Sequence, residues 1–373
     1  MIPSDSIYAP LFQPLKIGNV NLRNRLAMAP MTRSFAEGGI HDARALDYYG
    51  RRAAGGIGLI ISEGTPPPHP AAMAFPRLPQ LETEAQLDSW RKIAGAVKAE
   101  GSHMLIQIWH AGMLRKQEDA DNPDVPTIGP SGIFPGFPDG NAMTQRDIDE
   151  VMESFAVAAE TVQALGFSGV ELHGAHGYLF DQFFWEETNR RTDGYGGDLG
   201  ARTRFAVETI QEIRRRTGPD FLISLRFSQF KPPLYTARLA HTPQQLEQLL
   251  TPLVSSGLDI LHASTRRFWL PEFDDSPLTL AGWTKKISGL PTITVGSVGL
   301  NGAFDPREGI RVAAERADEA AVEQLVQLLE RGDFDLIAIG RSLLANPDWG
   351  RTVAERGVAG LAPYTKEAVD QLV

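Results

Sequence analysis

The sequence predicts an α/β fold closed into a (β/α)8 barrel of the TIM type, one domain over residues 1–373 with lid loops. Three observations lead there. Eight short apolar runs rich in β-branched residues recur along the chain, amphipathic stretches separate them, and polar residues collect where the runs end.

The runs are RLAMAPM (25–31), GIGLIISEG (56–64), HMLIQIWHAG (103–112), FSGVELHGAHG (167–177), FLISLRFS (221–228), LDILHAST (258–265), PTITVGSV (291–298) and FDLIAIGRS (334–342). Near-continuous hydrophobicity suits parallel strands buried on both faces, whereas an antiparallel strand would alternate. Helical patterns cover 84–100, 144–165, 199–216, 242–256 and 317–331. They end at Gly101, Gly166, Gly218, Gly257 and Gly332, and glycine favours a helix C-terminus. Thr242 before Pro243 reads as a helix start. An open doubly wound sheet also alternates strand and helix, but eight consecutive units without a reversal favour closure. The Pro-rich stretch 65–70 reads as a stiff loop, and the irregular regions 119–141 and 230–240 as binding loops or lids.

Composition narrows the function. Hydrophobic residues make up 42% and charged residues 22%, as in an ordinary globular protein with a sizeable core. The net charge of -10 opposes binding to nucleic acid. No leader-like N-terminus and no run of about 18 apolar residues is present, so the expected setting is cytoplasmic, away from a membrane. The absence of cysteine removes disulfides, thiolate nucleophiles and thiolate-held metals.

In such a barrel the active site lies at the C-terminal ends of the strands. Thr32, Glu63, Gly64, Gln107, Trp109, His173, His176, Arg226, His262, Gly296, Ser297, Gly340 and Arg341 all fall there. Within HGAHGY, His173 and His176 can both face the mouth and donate to a neutral carbonyl, where one donor is typically worth about 3–4 kcal/mol. Tyr178 can act as general acid. A metal site with Glu171, or a satisfied core pair, is the alternative for the histidines, and a packing aromatic the alternative for Tyr178. TVGSVG and AIGRS suit a phosphate cradle with Arg341 as clamp, unless Gly296 and Gly340 merely permit tight turns. Arg226, set in an apolar run, needs an anionic partner, either a ligand or an acid such as Glu171.

From LFQPLKIGNVNLRNRLAMAPMTR through HGAHGYLFDQFFWEETNRRTDGYGGDLGARTRF to GRSLLANPDW, the chain resembles the Old Yellow Enzyme family of FMN-dependent ene-reductases over essentially its whole length. The resemblance implies tightly bound, non-covalent FMN. Ala29, Pro30 and Met31 would line it, Thr32 would bond the carbonyl near N5, and Gly64 would approach the ring. Gln107 would meet the pyrimidine edge, Arg226 the N1 side, and Gly296, Ser297, Gly340 and Arg341 the phosphate. His173 and His176 would grip the substrate carbonyl, Tyr178 would deliver a proton, and Trp109 would shape the pocket.

Thr32 stands where one branch of the family carries cysteine, and members with an iron–sulfur domain need cysteines that this chain lacks. Substrate contacts from Tyr235, Phe268 and Trp269 and an extended loop over 301–316 lie outside the familiar motifs. The implied reaction passes a hydride from NADPH or NADH through flavin N5 to the β-carbon of an unsaturated carbonyl or nitro compound, in a monomer or homodimer. No metal is expected. The competing readings are an FMN-dependent amine or alcohol dehydrogenase or oxidase, a cofactor-free isomerase or aldolase using Glu63 or Glu171, and a non-catalytic flavin carrier.

Overall fold

The computed structural model describes residues 3, 5–116, 118, 122–301 and 312–372. Eight parallel strands form a closed barrel: β1 (Leu26–Met28), β2 (Leu59–Thr65), β3 (His103–Ile108), β4 (Gly169–Gly174), β5 (Leu222–Ser228), β6 (Ile260–Ser264), β7 (Thr292–Val295) and β8 (Leu336–Ile339). They neighbour one another in chain order, and β8 returns to β1 with Ile339 opposite Met28. Seven strands fall inside their expected runs, and β2 extends one residue past its run, to Thr65 at the start of the stretch expected as a loop. The overshoot lies at the ends, where the chain turns; after β7, for example, Gly296 and Ser297 take φ of 142° and 57°.

The strands are buried along their length. Alternate residues of a strand share a face, so each strand sends a polarity gradient into the barrel. Its N-terminal half supplies Leu59, Leu105, Leu222, Ile260, Ile293 and Leu336, which cluster with Ile17, Val20 and Leu22 of an N-terminal hairpin. That hairpin plugs the N-terminal mouth. Two residues further on, the same faces carry Gln107, Ser224 and His262, and two beyond Ser224 comes Arg226, with Glu171 and His173 on β4 in register beside them. An apolar plug below and a polar layer above leave one end fit for chemistry.

The outer helices begin and end on the residues that favour such positions. In α2 (Glu84–Ala99) and α3 (Gln145–Ala164), Thr83 and Thr144 form reciprocal capping boxes with Gln86 and Asp147. Thr242 caps α6 (Pro243–Val254) and Asp318 caps α8 (Glu319–Glu330). The helix expected over 199–216 is a short 3-10 turn followed by α5 (Arg204–Thr217). Left-handed backbone occurs at all five expected terminal glycines, from φ 70° at Gly101 to 106° at Gly257. The helices α1 (Ala43–Ala54) and α7 (Leu280–Ser288), together with the short α4 (Leu179–Phe184), α9 (Arg341–Ala345) and α10 (Trp349–Arg356), were not among the expected stretches.

Two expected loops extend beyond the described residues. Within 119–141, residues 119–121 lie outside them, and the remainder pairs Ile128–Gly129 with Asn141–Ala142. Within 301–316, residues 302–311 lie outside them, while Leu300–Asn301 pairs with Glu315–Arg316. The 230–240 loop is pinned at its base by Gln229, which donates to the Ala240 carbonyl and accepts from the Leu239 and Ala240 amides.

Candidate active site

A cavity of about 430 Å³ opens where the strands end. Ala29, Pro30 and Met31 after β1 form one wall, with Gly340 and Arg341 after β8 beside them. Gly296 and Ser297 after β7 continue it, and Arg226, His176 and Tyr178 close the far side. Among the expected residues, Thr32, Gly64, Gln107, Trp109 and His173 are not in this lining. Thr32 is exposed; the other four form the layer that supports the wall.

Glu171 is the centre of that layer. Its carboxylate accepts from Gln107 Nε2 at 2.9 Å and Ser224 Oγ at 3.2 Å, and pairs with His262 Nδ1 at 2.8 Å. Burial pushes its pKa up, but His262, Arg226 and Gln107 outweigh burial and hold it below the usual carboxylate value. Arg226 is not ion-paired to Glu171. Its Nη2 instead donates to Ser264 Oγ at 3.1 Å, and its buried Nε has no partner. An unpartnered guanidinium nitrogen at a cavity wall calls for an anionic or acceptor-rich ligand.

The HGAHGY segment leaves β4 through consecutive left-handed residues, His176 at φ 63° and Gly177 at φ 83°. A histidine there is uncommon and needs support. Its amide donates to Ser228 Oγ at 3.0 Å and its Nε2 shares a 2.9 Å hydrogen bond with Ser264 Oγ. The turn brings three rings together, with His173 lying 5.2 Å from His176 and 4.8 Å from Tyr178. His173 Nδ1 accepts from the Ala175 amide at 3.4 Å, leaving the other ring nitrogen to carry the proton. Burial, reinforced by Arg226, drives both imidazoles well below the usual histidine pKa, so both are neutral N–H donors at physiological pH. Burial lifts Tyr178 to about 12, so its phenol keeps its proton, and no hydrogen-bond partner holds its hydroxyl among the described residues.

Trp109 is wedged behind these rings, 4.7 Å from Tyr178. Gly64 is overlaid by this indole: a Cβ there would lie 2.5 Å from Trp109 Cε3. Glu63 is also committed to the scaffold. Its carboxylate accepts from the Arg33 and Ser34 amides at 2.9 and 3.1 Å, fixing the turn after Thr32. Burial raises its pKa from 4.5 to about 7. A raised folded-state pKa gives stability that is full below the unfolded value and is lost as pH rises through the folded one. Relative to Glu63→Gln, the protein is expected to lose up to about 3 kcal/mol between pH 4.5 and pH 7. Urea midpoints of both proteins at pH 5 and pH 8 check this.

The two glycines of the expected cradle differ. Gly296 is required by its own backbone, because a Cβ would lie 2.7 Å from the Thr265 carbonyl. At Gly340 a Cβ would meet only Met31 Sδ at 3.7 Å and Ala29 Cβ at 3.9 Å, both on the cavity wall. The protein's packing does not demand glycine there, which fits space kept for a ligand. Arg341, 9% exposed, donates to the Val312 carbonyl at 3.1 Å. Among the described residues, three arginines (226, 266 and 341) and no acidic residue line the cavity, a donor set that suits a phosphate and an electron-rich ring system. Gly340→Val is expected to fold normally but bind FMN at least about tenfold more weakly. Comparing Tm with flavin content of the purified variant tests this.

The expectations did not include Phe230, Ser264 or Arg266, all in the lining. Ser264 was accessible to strand alternation, two residues after His262 on one strand face. Tyr235 lines the cavity and stacks on Phe230 at 5.6 Å, whereas Phe268 is buried against Trp269 and neither belongs to the lining. Among the described residues no three His, Cys, Asp or Glu side chains converge as a metal site, and no helix is long and apolar enough to cross a membrane.

A closed parallel barrel whose strand ends open on an arginine-lined cavity is the scaffold of an enzyme active site. The model of the NADH:flavin oxidoreductase / NADH oxidase family matches residues 10–305, and the chain belongs to that family, whose cofactor is FMN. It is 32% identical to an NADH oxidase of Thermoanaerobacter brockii over 92% of this chain, spanning about half (50%) of that protein's length. It is 31% identical to 12-oxophytodienoate reductase 7 of Oryza sativa subsp. japonica, over 91% of this chain and 86% of that one. The structure is similar to Old Yellow Enzyme from Pichia sp. AKU4542, with TM-score 0.79 and 25% identity over 96% of this chain and 90% of that one. Morphinone reductase in complex with tetrahydroNAD gives 0.75 and 28% over 95% and 92%.

Proposed function

We propose that this protein is an FMN-dependent ene-reductase that takes reducing equivalents from NADPH or NADH and reduces the activated double bond of an α,β-unsaturated carbonyl or nitro compound. The observation that carries the reading is the trio at the cavity's edge: two neutral imidazoles beside a half-buried, protonated tyrosine with an uncommitted hydroxyl. Its relatives include a 12-oxophytodienoate reductase and a morphinone reductase, the latter holding a nicotinamide analogue.

Bound FMN would supply hydride chemistry at N5. Ala29, Pro30, Met31 and Thr32 would border it, with Gly64 and Gln107 below. Gln107 uses its amide N–H on Glu171, which leaves its carbonyl oxygen for a ring N–H. Arg226 would meet the electron-rich side of the ring, and Gly296, Ser297, Gly340 and Arg341 the phosphate. His173 and His176 would donate to the substrate's carbonyl or nitro oxygen, stabilising negative charge that grows as the β-carbon accepts hydride. Tyr178 would protonate the α-carbon, and Trp109 would hold Tyr178 and His173 in place. Neutral imidazoles suit this role, because they donate without being consumed as acids.

The rival dehydrogenase or oxidase reading requires flavin reduction by an amine or alcohol. An isomerase using Glu63 or Glu171 is disfavoured because both carboxylates are buried and already bonded within the scaffold. Anaerobic incubation with NADPH and 2-cyclohexenone tests the proposal: the saturated ketone should form in step with NADPH loss, and NADPH loss without saturation would reject it.

A further inference from the structure

Behind the turn that carries His176 and Tyr178 lies an ion pair with no exposure at all: Lys231 Nζ stands 3.0 Å from Asp181 Oδ1, both side chains 0% accessible. Burying two charges costs solvation that their attraction rarely repays, so such a pair is weak evidence for stability and invites another explanation. Its surroundings supply one. The other oxygen of Asp181 accepts from the Gly177 amide at 2.7 Å, and Gly177 is the left-handed residue between His176 and Tyr178. Gln182, next to Asp181, donates to the Gly177 carbonyl at 2.7 Å. Both backbone polar groups of Gly177 are therefore held from α4.

Lys231 reaches the same point from the opposite wall. It donates to the Gln229 carbonyl at 3.1 Å, its ammonium lies 5.3 Å from the centre of the Trp185 ring, and its backbone bridges to Leu234. Its neighbours Phe230 and Pro232 line the cavity, and Phe230 packs 5.3 Å from His176 and stacks on Tyr235. One buried contact thus ties the turn after β4 to the loop after β5.

We infer that Asp181 and Lys231 are positioning residues for the proposed ene-reduction: the pair fixes the His176–Gly177–Tyr178 turn against the Phe230 wall, so that carbonyl donor and proton donor meet the substrate in one geometry. This rests on the ene-reductase reading. Burial moves Asp181 up and Lys231 down, each opposed by the other, so removing one partner leaves the other inclined to neutralise. The turn then loses its charged acceptor or the loop its anchor, while Gly340 and Arg341, which follow β8, are untouched.

The test is a double-mutant cycle on FMN-loaded protein. Asp181→Asn/Lys231→Met removes both charges together and avoids a lone buried ion, so it is the variant chosen to fold; its Tm and flavin absorbance establish that it does. Flavin reduction by NADPH and anaerobic reoxidation by 2-cyclohexenone are then measured separately, with and without Tyr178→Phe. The expected result is reduction within about threefold of wild type and reoxidation slowed at least about tenfold. Tyr178→Phe should also cost markedly less in this background than alone, because the phenol is already misplaced. A general loss of stability does not produce that coupling. Unchanged reoxidation, an equal Tyr178→Phe cost in both backgrounds, or a double variant that cannot fold or hold FMN would overturn the positioning role. If the wild-type reduced flavin is not reoxidised by the enone, the ene-reductase reading itself fails, and the pair's assigned role with it.

Discussion

Replacing His173 and His176 together by alanine is expected to lower alkene reduction at least about 10³-fold, with most of the bound flavin retained. One donor to a developing oxyanion typically contributes about 10²–10³ in rate, and the two rings lie 5.2 Å apart, His173 buried and His176 at the cavity wall. Flavin retention follows from the separation of duties. The proposed cradle residues Gly296, Ser297, Gly340 and Arg341 come from the ends of β7 and β8, whereas the histidines come from the end of β4. Steady-state turnover with an enone, alongside the flavin-to-protein absorbance ratio, checks both halves. Turnover unchanged in the double variant would remove the carbonyl-binding role.

Tyr178→Phe is expected to slow reoxidation of the reduced flavin by enone about 10²–10⁴-fold while leaving reduction by NADPH near the wild-type rate. Hydride transfer from a nicotinamide to FMN needs no proton at carbon, whereas saturating the alkene does. With its pKa lifted to about 12, the phenol is protonated across the working range, so its loss should appear as a rate defect at all pH values from 6 to 9. Rapid mixing of each half-reaction separates the outcomes. An equal loss in both would mean that Tyr178 shapes the pocket rather than supplying the proton.

The eight strands were legible because parallel strands buried on both faces write themselves as short β-branched runs, and because glycine and threonine punctuate the helices between them. The site was legible where it depends on position along one strand. Arg226, His173 and Gln107 stand near C-terminal strand ends, and topology brings those ends to one mouth. Contacts set by neighbouring-strand register or by loops were not legible. Glu171 gathers Gln107, Ser224 and His262 only because β3, β4, β5 and β6 stand side by side, and Arg226 turns to Ser264 for the same reason. Gly64 shows the limit of a local reading. As a glycine near a flavin site it suggests close approach to the ring, yet the Trp109 indole across the β2–β3 ladder by itself needs the missing Cβ. Likewise, no local pattern joins Lys231 to Asp181 across fifty residues of sequence; only the packing of α4 against the loop after β5 does so.

Following the visible absorption of the purified protein, first with NADPH and then with 2-cyclohexenone under argon, reaches the centre of the account. Flavin bands that bleach with the nicotinamide and return in full with the alkene are the expected result. Protein that stays colourless after FMN is added, or a bleached flavin that the alkene leaves bleached, would contradict it.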